Sequence, residues 1–163
     1  PLRRQRQMCI RDSQETVREF LPDADLVKLS DEECFFVTGK HSILDAADWL
    51  FEQGCKMVLY SMGKEGAMIL TPHFSSHVEN PEVRVKDTTG AGDAIIGAYL
   101  YCLAKNHITV SQLATCSPEQ VQEWLTFAVY YANYSITKSG AIASYPDYTT
   151  FVKWMQEKRK KAH

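Results

Sequence analysis

VKDTTGAGDAIIGAYL, Val85 to Leu100, is the stretch on which the reading of this chain turns. Gly90, Ala91 and Gly92 lead into small and apolar residues that predict a helix over Ala91 to Ala104. Glycines at a helix mouth let the backbone come close to a ligand. The first amides of a helix are unpaired and partly positive, so they favour an anion. Asp93 nevertheless stands in that same first turn. A carboxylate built into an anion site calls for a chemical explanation.

Two phosphate-binding patterns fail here. A dinucleotide fingerprint, G-x-G-x-x-G, would need a small third residue where Ile95 stands, and it would aim Asp93 at a pyrophosphate. The loop G-x-x-x-x-G-K-[ST] occurs nowhere in the chain. An ordinary strand-to-helix turn with an aspartate at its start stays open. The remaining reading is phosphoryl transfer, in which a protein mainly positions reactants and stabilises charge on the phosphoryl oxygens. The amides of Gly90, Ala91 and Gly92 would hold the moving phosphate, and Asp93 would accept the proton of the attacking hydroxyl. A positioned base of this kind contributes about 10²–10⁴-fold to a rate. One anion is then the base and the other the substrate, and both belong in one corner.

Outward from that turn the pattern is α/β. ETVREFL, Glu15 to Leu21, reads as the end of a helix closed by Pro22, and Leu26 to Leu29 as a short strand. Ser30 with Glu33 has the spacing of a capping box, which could be its whole purpose, and Gly39 ends that helix. Ser42 to Gly54 places Ile43, Ala46, Ala47 and Leu50 on one helical face. Lys56 to Met62 is a near-continuous apolar run, as in a strand buried on both sides. Gly63-Lys64-Glu65-Gly66 turns the chain into a second strand, AMILTP, with further extended pieces through Val78, Val83 and Val85. A long helix is expected from Ser117 towards Gly140, opened by a Ser-Pro cap, and a last one over Tyr148 to Lys160 before the basic tail KRKK. The aromatics of LTFAVYYANY read as core. Lys64 and Glu65 read as an exposed turn.

Composition excludes several classes. At 45% hydrophobic and 23% charged residues, the chain is that of a globular domain. No apolar run approaches the roughly 20 residues of a membrane span. Five cysteines without CxxC or zinc-like spacing point to reduced thiols and a cytoplasmic protein. The first thirteen residues, PLRRQRQMCIRDS, stand apart, and RRQRQMCIRDS resembles a reading frame of a transposon-type sequencing adapter. Residues 1–13 are therefore expected to be a non-native leader. It holds four arginines and one aspartate, so the net charge of −2 becomes −5 without it, which gives no support to nucleic-acid binding.

DTTGAGDA, Asp87 to Ala94, is similar to the C-terminal signature of the ribokinase-like, or phosphofructokinase-B (PfkB), carbohydrate kinases. LYSMGKEGA resembles that family's nucleotide-binding strand and turn, and ITKSGAIASYP its cation-binding loop. VKLSDEE and the segment from Phe127 to Pro146 are most like bacterial fructokinases within the family. The resemblance covers residues 14–163 and implies the C-terminal part of a three-layer α/β/α kinase domain with a mostly parallel sheet. Its members are roughly twice this length, with most sugar-binding residues in the other half. A sheet so shortened is expected to expose a strand edge.

The resemblance also implies roles. Asp93 would be the base and Gly90, Ala91 and Gly92 the anion hole. Ser61, Gly63, Lys64, Gly66, Ser30 and Thr88 would bind ATP. Glu33 would order Mg2+ through water, although serine replaces the family's asparagine at Ser30. Asp87, Thr89, Ser135, Lys138, Gly140 and Ser144 would hold a monovalent cation, K+. The implied activity is ATP-dependent phosphorylation of a sugar, with fructose preferred. Ribose, a nucleoside, a sugar phosphate, or a non-catalytic regulatory relative remain the alternatives. The implied partners are ATP and a small sugar, without nucleic acid or membrane, and the resemblance leaves room for a homodimer of a full-length protein.

Overall fold

The computed structural model describes residues 13–161, so the expected leader lies outside it apart from Ser13. A helix over residues 13–20 (α1) gives way at Pro22 to a 3-10 turn. Strand β1, Leu26–Ser30, runs straight into α2, Asp31–Thr38, and α3 follows at Ile43–Glu52. Strands β2 (Met57–Ser61), β3 (Ala67–Leu70) and β4 (Ser75–Val78) come next. Three helices complete the chain: α4 (Ala91–Lys105), α5 (Pro118–Ser135) and α6 (Tyr148–Lys161). No helix among the described residues is long and apolar enough to cross a membrane.

The sheet has the order β1-β2-β3-β4. Among the described residues only β1 and β2 pair in parallel; β2–β3 and β3–β4 are antiparallel. Where a mostly parallel sheet is expected, this portion is thus mixed. The reason is local: tight turns connect only antiparallel neighbours, while the parallel β1–β2 pair is joined through α2 and α3. β1 has a free outer edge among the described residues.

Pleating sorts the side chains of β2 into two cores. Met57 and Leu59 pack beneath α4 and α5, and Val58 and Tyr60 pack against α2 and α3. Both faces are covered, which explains the unbroken apolar run. Each fully buried aliphatic side chain of this kind contributes about 1.5–3 kcal/mol. On the α3 side, Ala46, Ala47 and Leu50 are almost wholly buried, on the face expected of them. A third cluster joins α5 to α6 through Tyr134, Phe151 and Met155. The aromatic run of α5 is therefore packing material for the most part. Cys34, Cys55, Cys102 and Cys116 are buried free thiols, and burial pushes Cys102 up to about 12. They are inert packing groups.

Two expectations shift. α5 stops at Ser135 rather than running on toward Gly140, and the Ile136 carbonyl accepts from the amides of Lys86 and Asp87 at 2.8 and 3.2 Å. The chain then turns back toward the α4 start. Val83 and Val85 lie in an irregular segment, not a strand.

Gly66 is the tightest point of the β2–β3 turn. Its φ is +100°, and a Cβ there would fall 2.0 Å from the Val78 carbonyl oxygen. Gly66→Ala is expected to lower stability by about 2–4 kcal/mol in denaturant titration. Gly97→Ala, in α4 with nothing within 4 Å of its Cβ position, is expected to be neutral or stabilising by up to about 1 kcal/mol.

Candidate active site at the start of helix 4

The carboxyl ends of β1 and β2 lie side by side, with Ser30 opposite Ser61. In α/β sheets this edge is where ligands bind. A cavity of about 380 Å³ opens there, lined by Ser30, Ser61, Gly63, Gly66, Ala91 and Gly92. Six residues assigned from three separate stretches of sequence therefore meet at one cavity. Its apolar wall is Ile95, Val129, Ala132 and Ile136.

The start of α4 differs from its neighbours. α2, α3 and α5 are each capped by a serine hydroxyl, whereas no side chain caps α4. Gly90 takes its place in the left-handed region at φ +77°. A Cβ on Gly90 would come within 2.9 Å of both Ala141 Cβ and Tyr145 Oη. Glycine is required there on both counts. The Ala91 amide closes the turn on the Thr88 carbonyl at 3.1 Å, so it is engaged within the chain. An uncapped helix start that carries glycine in place of a cap residue is suited to an anion. Asp93 is exposed in that first turn and borders a second cavity of about 280 Å³ with Gly97, Tyr131 and Tyr145, not the first.

Two side chains hold this turn. Tyr145 Oη donates to the Gly90 carbonyl at 3.0 Å. Asp87 accepts from the Thr89 amide and hydroxyl at 2.9 and 2.7 Å, and from the Gly140 amide at 2.8 Å. The Gly140 amide, then the Thr89 hydroxyl and amide, hold the Asp87 carboxyl down to about 2. Tyr145 follows directly on the 137–144 loop, and none of these bonds is visible in sequence.

The expected cation set is gathered in part. Asp87 accepts hydrogen bonds from both Thr89 and Gly140. Ser135 and Ser144 are buried, with hydroxyls donating to the carbonyls of Ala132 and Ala141. The Lys138 amide bonds the Ser135 carbonyl, and its ammonium turns away over the Tyr134 ring at 4.6 Å. One ionised carboxylate beside the Thr89 hydroxyl has the hard oxygen donors that suit a monovalent cation. No cluster of three or more His, Cys, Asp or Glu side chains able to hold a metal occurs among the described residues. Glu33 alone fits Mg2+ only where phosphates supply the other ligands.

Ser30 and Glu33 do form the full capping box: Ser30 N donates to Glu33 Oε2 at 2.8 Å and Glu33 N to Ser30 Oγ at 3.4 Å. Burial raises the Glu33 carboxyl, and the bonds from Lys28 and the Ser30 amide outweigh it, leaving the group lowered. Lys64 is exposed in the turn; its carbonyl, like that of Gly63, accepts from Asn80 Nδ2. Thr88 contributes its carbonyl to the Gly90 turn.

Sequence reasoning missed three residues. Asn80 bridges Gly63 to Asn133, whose Nδ2 donates to Asn80 Oδ1 at 2.7 Å, and both asparagines line the cavity. The Asn80-Pro81 pair and a polar residue on the buried face of α5 were the available signals. Lys28 is the third, placed by the strand register.

Residues 3–148 match the model of the pfkB family carbohydrate kinases, a span that begins inside the expected leader. "Probable fructokinase-2" of Arabidopsis thaliana is 36% identical over 124 residues, 76% of this chain and 36% of that protein. A fructokinase from Vibrio cholerae O395, solved with fructose, ADP and calcium ion, superposes with TM-score 0.75 at 28% identity over 87% of this chain and 44% of that one. The fold of Xylella fastidiosa fructokinase with bound ATP is also shared, at TM-score 0.82 and 24% identity over 90% of this chain and 47% of that one. The chain thus spans less than half the length of these proteins, and it has the ribokinase-like α/β fold in part. With the Asp87–Ala94 turn, the cavity at the ends of β1 and β2 and these matches together, the chain belongs to the pfkB family of carbohydrate kinases.

Proposed function

We propose that this chain forms the nucleotide-binding part of a sugar kinase that transfers the terminal phosphoryl group of ATP to a sugar hydroxyl, fructose being the preferred acceptor. The observation that carries the reading is the uncapped, glycine-led start of α4, which opens on the cavity while Asp93 stands in its first turn. The fructokinases among its relatives support the choice of sugar.

In this mechanism the phosphates of ATP lie along Ser30, Ser61, Gly63, Lys64, Gly66 and Thr88, and the base of the nucleotide against Ile95, Val129 and Ala132. Glu33, through water, would help the phosphates hold Mg2+, which would supply positive charge to them. Asp93 takes the proton of the sugar hydroxyl. The sugar oxygen bonds to the terminal phosphorus, the bond from that phosphorus to the bridging oxygen breaks, and ADP leaves with the electron pair. The turn Gly90-Ala91-Gly92 meets the charge on the transferred group, a fixed electrostatic complement that needs no rearrangement. Asp87, Thr89, Ser135, Lys138, Gly140 and Ser144 would hold K+, which would order that turn rather than react. The partners are ATP and the sugar, and the reduced buried thiols suit a cytoplasmic protein.

The test is ATP-dependent phosphorylation by the protein expressed from its intact gene, across fructose, ribose, adenosine and fructose 6-phosphate, with and without K+. Turnover on fructose above the others supports the reading, and ATP binding without turnover on any of them counts against it. Asp93→Asn is expected to lower kcat by about 10²–10⁴-fold with the Kd for ATP unchanged; near-normal turnover would remove Asp93 from the base role. The Asp87 carboxyl is expected to titrate near 2 rather than its ordinary 3.8, read from its 13Cγ shift. The unfolded chain binds this proton more readily, so the Asp87–Gly140 link favours the folded state above about pH 4 and is lost as pH falls through 2. Asp87→Asn is expected to abolish that acid-linked stability and the stimulation by K+.

A further inference from the structure

The segment Val83 to Lys86 alternates β-branched and cationic residues, the pattern of a strand, yet no strand among the described residues pairs with it. The amides and carbonyls of Val83, Arg84 and Val85 make no hydrogen bond among the described residues. The segment is tied only at its ends. Lys158 of α6 donates to the Glu82 carbonyl, and the amides of Lys86 and Asp87 donate to the Ile136 carbonyl. Three consecutive residues of open backbone therefore run between two anchors without a partner in the fold.

A groove of about 620 Å³ lies along this segment. Residues 83–86 line it on one side and Trp154 and Lys158 of α6 on the other, with Thr137 completing it. Val85 is 56% exposed, and the half-buried Trp154 ring is braced edge-on by Tyr134 at 5.3 Å. Arg84, Lys86 and Lys158 bring three positive charges to the groove, and no carboxylate neutralises them. The ion pairs among the described residues are Lys28–Glu33 and Lys56–Asp25, and the Lys158 ammonium meets only a carbonyl and the Trp154 ring, 5.8 Å from its centre. On a chain of net charge −2, three unpaired cations in one groove stand out. Surface lysines alone are ordinarily just solvated. The open backbone beside them is what sets this place apart.

We propose that this groove docks an extended acidic peptide of a partner protein, which pairs as a strand with residues 83–85 and sets its carboxylates on Arg84, Lys86 and Lys158. Main-chain pairing supplies affinity and the side chains supply choice. Side chains alternate along the incoming strand, so apolar residues on one face meet Val85 and Trp154 while carboxylates on the other reach the cations. A small anion would use the charges and leave the backbone open. A second copy of this chain, docked about a two-fold axis, would bring like charges together. The segment runs directly into Asp87, so the docked strand lies beside the support of the Gly90 turn. The inference does not depend on the phosphoryl-transfer reading.

The experiment titrates the protein expressed from its intact gene with a short peptide of alternating valine and glutamate, blocked at both ends. Calorimetry at low salt reads affinity, and residue-resolved amide hydrogen exchange reads the backbone. A Kd of about 10–100 µM is expected, with amides among Val83, Arg84 and Val85 protected about tenfold or more. Arg84→Glu combined with Lys86→Glu is expected to weaken binding about tenfold or more with the thermal midpoint unchanged, since both side chains are exposed. A proline at the centre of the peptide removes a main-chain donor and is expected to weaken binding by a similar factor. Absence of binding, or equal binding of the lysine-for-glutamate peptide, would overturn the proposal. So would equal binding of the proline peptide, displacement by an equal concentration of inorganic phosphate, or self-association that protects the same amides. None of these readouts needs turnover, so they stand apart from the outcome of the kinase assay.

Discussion

The constraint on which the site depends is that α4 must begin without a cap and still be rigid. A serine or aspartate at the Gly90 position would satisfy the first amides and leave nothing for an anion. Removing the cap frees those amides but also loosens the turn. Here the stiffness is supplied from outside the helix, by Tyr145 on the Gly90 carbonyl and by Asp87 bonded to both Thr89 and Gly140. The 137–145 segment thus replaces the cap as the support of the turn. Termination of α5 at Ser135 is what lets that segment reach back.

The sheet supplies the opposite wall. Parallel pairing of β1 and β2 puts Ser30 and Ser61 at one edge, and the two-faced core holds α4 across it. Each strand residue then serves one of three ends according to its parity and position: Val58 and Tyr60 anchor α2 and α3, Met57 and Leu59 anchor α4 and α5, and Ser30 and Ser61 face the cavity. Lys28 is the one charged side chain of β1, and the same parity directs it to the α4 side. The geometry of the floor and of the charge above it has a single origin in the pleat.

Much of this was legible in the residues. Periodicity and cap spacing gave α2, α3 and the bounds of α6, because those signals are local and their physical causes lie within a few residues. Gly90 and Gly66 were legible as necessary glycines, since their backbone conformation is a property of the residue itself. The end of α5 was not, because nothing in SITKSG forbids a helix; the Ile136 carbonyl is drawn out by amides fifty residues away. The antiparallel majority of the sheet was hidden behind an expectation carried by resemblance, although the short GKEG turn already allowed no other pairing for β3.

What the sequence by itself determined is the inventory: an α/β chain, a glycine-led helix start with a carboxylate in its first turn, and stretches whose residue types suit nucleotide, metal and cation. What only the tertiary structure decided is adjacency. Asn80 reaches Asn133 and Gly63, Tyr145 supports Gly90, and Lys28 lies against Gly92, each across a separation far longer than any local pattern spans. The physical reason is that these contacts depend on strand register and helix docking, which the burial of two separate cores sets, and no residue carries that information alone.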